Sequence, residues 1–94
     1  MNATLLMDFR QDYDDGAIVQ MMVWRISDPL VGSAHRCKYR LYYGYPGRRI
    51  VCYDNEQGKG DHRHVGRREE PYHFSSIEQL VKDFIDEVDM RRGR

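Results

Sequence analysis

Apolar and polar residues alternate over much of the first half of the chain. From Thr4 to Arg10, Leu5, Met7 and Phe9 fall on one side, with Thr4, Leu6, Asp8 and Arg10 on the other. A period of two marks a half-buried strand, so a first strand is expected over about 3–10. Asp14-Asp15-Gly16 is a turn signal that leads into a hairpin. The second strand, about 17–26, is apolar on both sides: Ile18, Met22, Trp24 and Ile26 against Val19, Met21 and Val23. That pattern suits a central strand covered on both faces at one end. Ser27-Asp28-Pro29 ends it. A third strand, about 36–43, has unlike faces, with Cys37, Tyr39, Leu41 and Tyr43 opposed to Arg36, Lys38, Arg40 and Tyr42. Gly44-Tyr45-Pro46-Gly47 turns the chain into a fourth strand, about 48–54. Pairing Tyr43 with Arg48 sets Leu41 opposite Ile50, Tyr39 opposite Cys52 and Cys37 opposite Asp54, and it places Ile50 and Cys52 on the apolar side.

Residues 55–70 lose this periodicity and read as a long polar loop, with Gly58, Gly60 and Gly66 for unusual backbone conformations. Structureless stretches this long inside a compact domain are usually functional or disordered. Pro71 to Phe74 reads as a short edge strand or an extended lead-in. From Ser75 the period changes to that of a helix. Ile77, Leu80, Val81, Phe84, Ile85 and Val88 form one stripe, and Ser75 with Glu78, or Ser76 with Gln79, is a capping box. The helix is expected over about 76–90. Arg91, Arg92 and Arg94 suit its C-terminus and are expected to fray there. The fold class is therefore α+β: an antiparallel meander sheet of four to five strands, with one C-terminal helix packed on one face, in a single domain over 1–94. The other face would carry Lys38 and Arg40.

Composition narrows the classes. The chain has 94 residues, 40% hydrophobic and 32% charged, which fits one globular core rather than a disordered or fibrous protein. No apolar run reaches the roughly 18 residues a membrane span needs. The first ten residues have neither a basic start nor a long apolar stretch, so no signal peptide is expected and the location is read as cytoplasmic. Cys37 and Cys52 make neither a disulfide framework nor a zinc site by themselves, and are read as reduced thiols. The zero net charge hides a pattern. Residues 36–68 hold nine basic and three acidic residues, a net +6, between segments of −3 on either side. Such a segment can bind phosphate backbones or be neutralised within the fold.

The candidate chemistry lies between Tyr53 and His64. Metal-independent cleavage of RNA through its own 2′-hydroxyl needs a general base, a general acid and a cation for the phosphorane. His62 and His64, two apart, share a side of an extended segment, and Asp61 could orient a ring. Lys38, Arg40, Lys59 and Arg63 are the candidate phosphate contacts. A second reading takes His62 and His64 as metal ligands, with Asp54, Asp61 or Glu69 as the third. A third takes the segment as a binding loop without catalysis. Gly58-Lys59-Gly60 lacks the context of a dinucleotide or P-loop motif. His35 and His73 are read as structural, and Tyr42 as the candidate for base stacking.

The stretches His35-Arg36-Cys37-Lys38-Tyr39-Arg40-Leu41, Tyr53-Asp54-Asn55-Glu56, Gly58-Lys59-Gly60-Asp61-His62-Arg63-His64 and Glu70-Pro71-Tyr72, with the closing Ser76-to-Val88 helix, resemble the TumE-type family. Its members are small prokaryotic toxin components of toxin–antitoxin pairs. The resemblance implies a small helix-turn-helix antitoxin as partner. The reading adopted is a toxin acting on RNA, with His62, His64 and Asp61 catalytic and with no metal, cofactor or membrane. The alternative is a non-catalytic module that binds nucleic acid or antitoxin through Lys38 and Arg40. A homodimer through the open sheet face is a third.

Overall fold

The structure, a computed structural model, describes residues 2–56 and 58–93. Six strands, β1 (Ala3–Asp12), β2 (Ile18–Ile26), β3 (Cys37–Tyr45), β4 (Arg48–Glu56), β5 (Gly60–Val65) and β6 (Arg68–Pro71), precede one helix, α1 (Ile77–Arg91). The strands pair antiparallel in sequence order, β1 to β6. The α+β meander is as expected, but the sheet has six strands rather than four to five. The additional pairing comes from the 55–70 segment, which is strand–turn–strand where a loop is expected; Gln57 lies outside the described residues. Hydrophobicity hides these strands because β5 carries polar groups on both faces. Asp61 and Arg63 point one way and find polar partners there, while His62 and His64 point the other way.

The β3–β4 register also differs from expectation. Tyr45 pairs with Arg48 across the Pro46-Gly47 turn, and an irregularity after Gly44 then sets Tyr43 opposite Val51, Tyr42 opposite Cys52 and Leu41 opposite Tyr53. Relative to the expected pairing this is a slip of an odd number of residues, which exchanges faces. Val51, Tyr53 and Asn55 therefore look toward the helix, and Cys52 and Asp54 look away. Cys37 instead pairs with Arg25 on β2, so the two free thiols are not cross-strand neighbours. A similar irregularity between Leu5 and Met7 sends Leu5 to the face opposite Met7 and Phe9.

The helix starts where expected. Ser76 is its N-cap, and its hydroxyl accepts from the Gln79 N–H at 3.0 Å. Leu80, Phe84 and Val88 are buried against Val19, Met21, Val23, Tyr39, Leu41, Tyr43, Val51 and Tyr53, the inward positions of three neighbouring strands. Arg92 is not frayed. Its guanidinium lies 3.7 Å from the Tyr13 ring centroid and donates to the Tyr43 hydroxyl at 3.0 Å, so the end of the helix is tied to the β1–β2 turn. Arg94 lies outside the described residues.

One edge of the helix face is closed by polar bonds instead of apolar contacts. Asp61 accepts from the Ser33 hydroxyl at 2.7 Å, from the Tyr39 hydroxyl at 2.7 Å and from His35 Nε2 at 2.6 Å. His35 Nδ1 accepts the Cys37 N–H, so both ring nitrogens are engaged and the ring stacks on Phe74 at 3.9 Å between centroids. Asn55 adds two ties to β3: it accepts from the Tyr39 N–H and donates to the Cys37 carbonyl. The 27–36 connection is thereby docked on the β4–β5 turn. The contact is tight, for a Cβ on Gly60 would stand 2.8 Å from the Gly32 carbonyl oxygen.

Two stability predictions follow from this docking. Gly60 has φ +76 and faces that carbonyl, whereas Gly47 has φ +75 and faces open space. Gly47→Ala should cost about 1 kcal/mol, the left-handed penalty alone, and Gly60→Ala should cost at least about 1 kcal/mol more. Urea unfolding measures both, and equal costs would mean the docking is loose. Asp61→Asn keeps an acceptor for Tyr39 and His35 only by turning its NH2 toward the Ser33 hydroxyl, and it removes the charge that strengthens all three bonds, so it should cost about 1–3 kcal/mol. A loss below about 0.5 kcal/mol in the same assay would remove Asp61 from the fold's support.

Candidate functional site

The face of the sheet away from the helix is organised by register. Cross-strand partners share a face, so two rows of side chains run across it. One is Asp8, Met22, Arg40, Asp54, His62 and Pro71; the other is Arg10, Gln20, Tyr42, Cys52, His64 and Glu69. Each row passes from the apolar and cationic β2–β3 half to the titratable β4–β5 half.

In the β4–β5 half, His62 and Asp54 are buried, at 6% and 7% exposure. His62 Nδ1 lies 3.0 Å from the Gly60 carbonyl oxygen, which can only accept, so Nδ1 carries the proton. The other nitrogen, Nε2, stands 2.6 Å from Asp54 Oδ1. That contact is an ion-pair distance without hydrogen-bond alignment, because Asp54 Oδ1 is buried with no hydrogen-bond partner. The His64 ring meets His62 edge to face at 5.1 Å, and its Nδ1 lies 3.5 Å from Glu69 Oε2. Burial and then the nearby Arg49 push the His64 imidazole below its ordinary value, toward the neutral form, and they outweigh the pull of Glu69. Cys52 turns its thiol toward Asp54 Oδ2 at 3.9 Å. Burial, then the Asp54 charge, push that thiol up to about 11, so it is an unactivated thiol at neutral pH.

The β2–β3 half supplies cations over aromatic rings. Lys38 Nζ lies 5.6 Å from the Trp24 centroid and the Arg40 guanidinium 5.3 Å from that of Tyr42. Gln20, Met22, Trp24, Arg40 and Tyr42 line a groove of 160 Å³. Tyr42 donates its hydroxyl to the Tyr45 carbonyl at 2.9 Å, which fixes the ring.

The expected site residues are thus divided between the faces. His62 and His64 come together, and Lys38 and Arg40 share their face. Asp61 does not orient His62: it points to the helix side, where burial pushes its carboxyl up but bonds from Ser33, Tyr39 and His35 outweigh this and hold it below its ordinary range. The carboxylate beside His62 is Asp54. Arg63 is also on the helix side, bound to Glu70 at 2.6 Å and to the Tyr53 hydroxyl at 3.0 Å. Lys59 is exposed at the β4–β5 turn, 3.8 Å from Glu56. The direct opposition of Asp54 to His62 is a site feature that the sequence reading did not assign, as are Arg49 and Trp24; Asp54 is named there only as one of three possible third metal ligands. The signal for the first is the short span from Glu56 to Gly60. Had it been read as a tight hairpin turn, Asp54 would fall opposite His62.

Among the described residues no helix is long and apolar enough to cross a membrane. No curated protein and no solved structure matches this chain. The family model described as Toxin TumE matches residues 2–92, which takes in all six strands, the helix and both halves of the open face. With that match over nearly its whole length, the chain belongs to the TumE family of toxins.

Proposed function

We propose that this toxin acts on RNA as a ribonuclease and that His62 and His64 make the proton transfers. The observation that carries the reading is the Asp54–His62–His64 cluster, which shares one sheet face with Lys38, Arg40 and an aromatic groove. In this reaction the 2′-oxygen attacks phosphorus and the 5′-oxygen leaves, giving a 2′,3′-cyclic phosphate and a 5′-hydroxyl end. His64, held toward its neutral form, accepts the 2′-hydroxyl proton. His62, which faces Asp54 at 2.6 Å, donates to the leaving 5′-oxygen. Arg40 and Arg49 face the developing phosphorane charge. Trp24 and Tyr42 offer stacking surfaces to a neighbouring base, and Lys38 and Lys59 reach flanking phosphates. Asp61 supports the strand that carries the histidines and is a positioning residue. Arg63, committed to Glu70 and Tyr53, is outside the set. In the cell the protein would work in the cytoplasm, held in check by a small helix-turn-helix antitoxin.

The alternative of a non-catalytic binding module has its own support in the cation–aromatic pairs Lys38–Trp24 and Arg40–Tyr42. The two readings differ in which substitutions matter. Induction of the wild-type gene should arrest growth, and His62→Ala/His64→Ala should relieve the arrest while circular dichroism shows a folded protein. Cleavage of RNA by purified protein in EDTA should fall at least about a thousandfold in that double variant. Equal arrest by both proteins would reject the catalytic assignment. Lys38→Glu/Arg40→Glu should weaken RNA binding and flatten its dependence on salt. If this pair abolishes toxicity while the histidine variant keeps it, the binding module is the better account.

A further inference from the structure

We infer that Asp54, His62 and His64 form a binding site for a divalent transition-metal ion of the zinc class. The inference goes beyond the ribonuclease reading and concerns a second state of the same side chains: an ion on His62 Nε2 takes the nitrogen that would donate the proton, so cleavage belongs to the metal-free protein.

One ligand atom from each of the three residues lies within 4.8 Å of the other two. The strands that carry them are paired, with Asp54 directly opposite His62, so the set is built on rigid backbone. His62 is oriented as metal-binding histidines are. Its Nδ1–H is tied to the Gly60 carbonyl, which leaves Nε2 as the free donor. Glu69 stands beside His64 Nδ1 and can hold that ring in the same way. The decisive feature is what faces Nε2. Asp54 Oδ1 is a buried carboxylate oxygen with no hydrogen-bond partner, 2.6 Å from that nitrogen. Two lone-pair atoms at this distance repel unless a cation satisfies both. The cation is either a proton on Nε2 or a metal ion.

Chemistry selects the metal class. Two imidazole nitrogens and one carboxylate oxygen match zinc-type ions, whereas calcium and magnesium take shells of oxygen. Three protein ligands leave a fourth position open to water. Ligands about 2.0–2.1 Å from a tetrahedral metal stand about 3.3 Å apart, so His62 and Asp54 must separate by about 0.7 Å. A rotation of the Asp54 side chain can supply that, because its second oxygen meets only the weak Cys52 donor at 3.9 Å.

The test uses untagged protein freed of metal with EDTA and then dialysed. Zinc is titrated by calorimetry and cobalt(II) by visible absorption. One ion per chain is expected, with cobalt bands of low coordination number. Asp54→Asn, nearly isosteric, and His64→Gln, on a less buried side chain, should each weaken binding at least about tenfold. His73→Gln, in the segment leading into the helix, should bind as the parent does. Circular dichroism confirms that each variant is folded. Absence of stoichiometric binding, or affinity unchanged in both Asp54→Asn and His64→Gln, overturns the site and leaves the 2.6 Å contact as a protonated pair. Binding is read without RNA and cleavage is read in EDTA, so failure of this site and failure of the ribonuclease reading are separate results.

Discussion

The Asp61 carboxylate sits at the border of the helix-side core and accepts hydrogen bonds from a serine, a tyrosine and a histidine that come from two other parts of the chain. A carboxylate in that position would be costly without partners, and with three it is difficult to move. Its bonds draw the 27–36 connection onto the β4–β5 turn and fix the parity of β5. Because strand side chains alternate, holding residue 61 on one face commits residues 62 and 64 to the other. The two histidines of the open face owe their orientation to a charge buried behind them.

This explains an asymmetry in what the sequence made legible. The helix was readable to within a residue because its stripe is a repetition of one physical preference, and its cap is a local bond. The first four strands were readable because one of their faces is apolar. β5 was not, since its inward residues are Asp61 and Arg63 and their partners Ser33, Tyr53 and Glu70 are distant in the chain or on a strand that was also unread. The β3–β4 register failed for a different reason. Tyr39, Leu41 and Tyr43 accept either Ile50 and Cys52 or Val51 and Tyr53 as apolar partners, and only the irregularity near Gly44 decides between them. At the site, residue types were legible and contacts were not. His62 and His64 were found from their spacing, but the carboxylate that meets them is eight residues away on a neighbouring strand rather than next to them in sequence.

The open face joins two environments that would weaken each other if mixed. On β2 and β3, lysine and arginine lie over aromatic rings, where their charge stays available to solvent and to anions. On β4 and β5, a carboxylate and two imidazoles are withdrawn from water. The row through Arg40, Asp54 and His62 connects them one strand at a time, at about 4.8 Å per step. A phosphate at the cationic end would lie two strand spacings from His62, with no moving part of the sheet between them.

The order of elements also governs how the chain reaches this state. Every strand pairs with its neighbour in sequence, so the sheet can assemble hairpin by hairpin with short loop closures. The helix that covers its apolar face comes after all of them. While the chain is being synthesised, Val19, Met21, Leu41, Tyr43, Val51 and Tyr53 form a continuous apolar surface with nothing over it until Leu80, Phe84 and Val88 have been made. Arg92, clamped between Tyr13 and Tyr43, then closes the structure by joining the far end of the helix to the first turn of the sheet. The first hairpin to be synthesised is thus tied to the last residues of the helix, and until those are made the apolar face of the sheet lacks its cover.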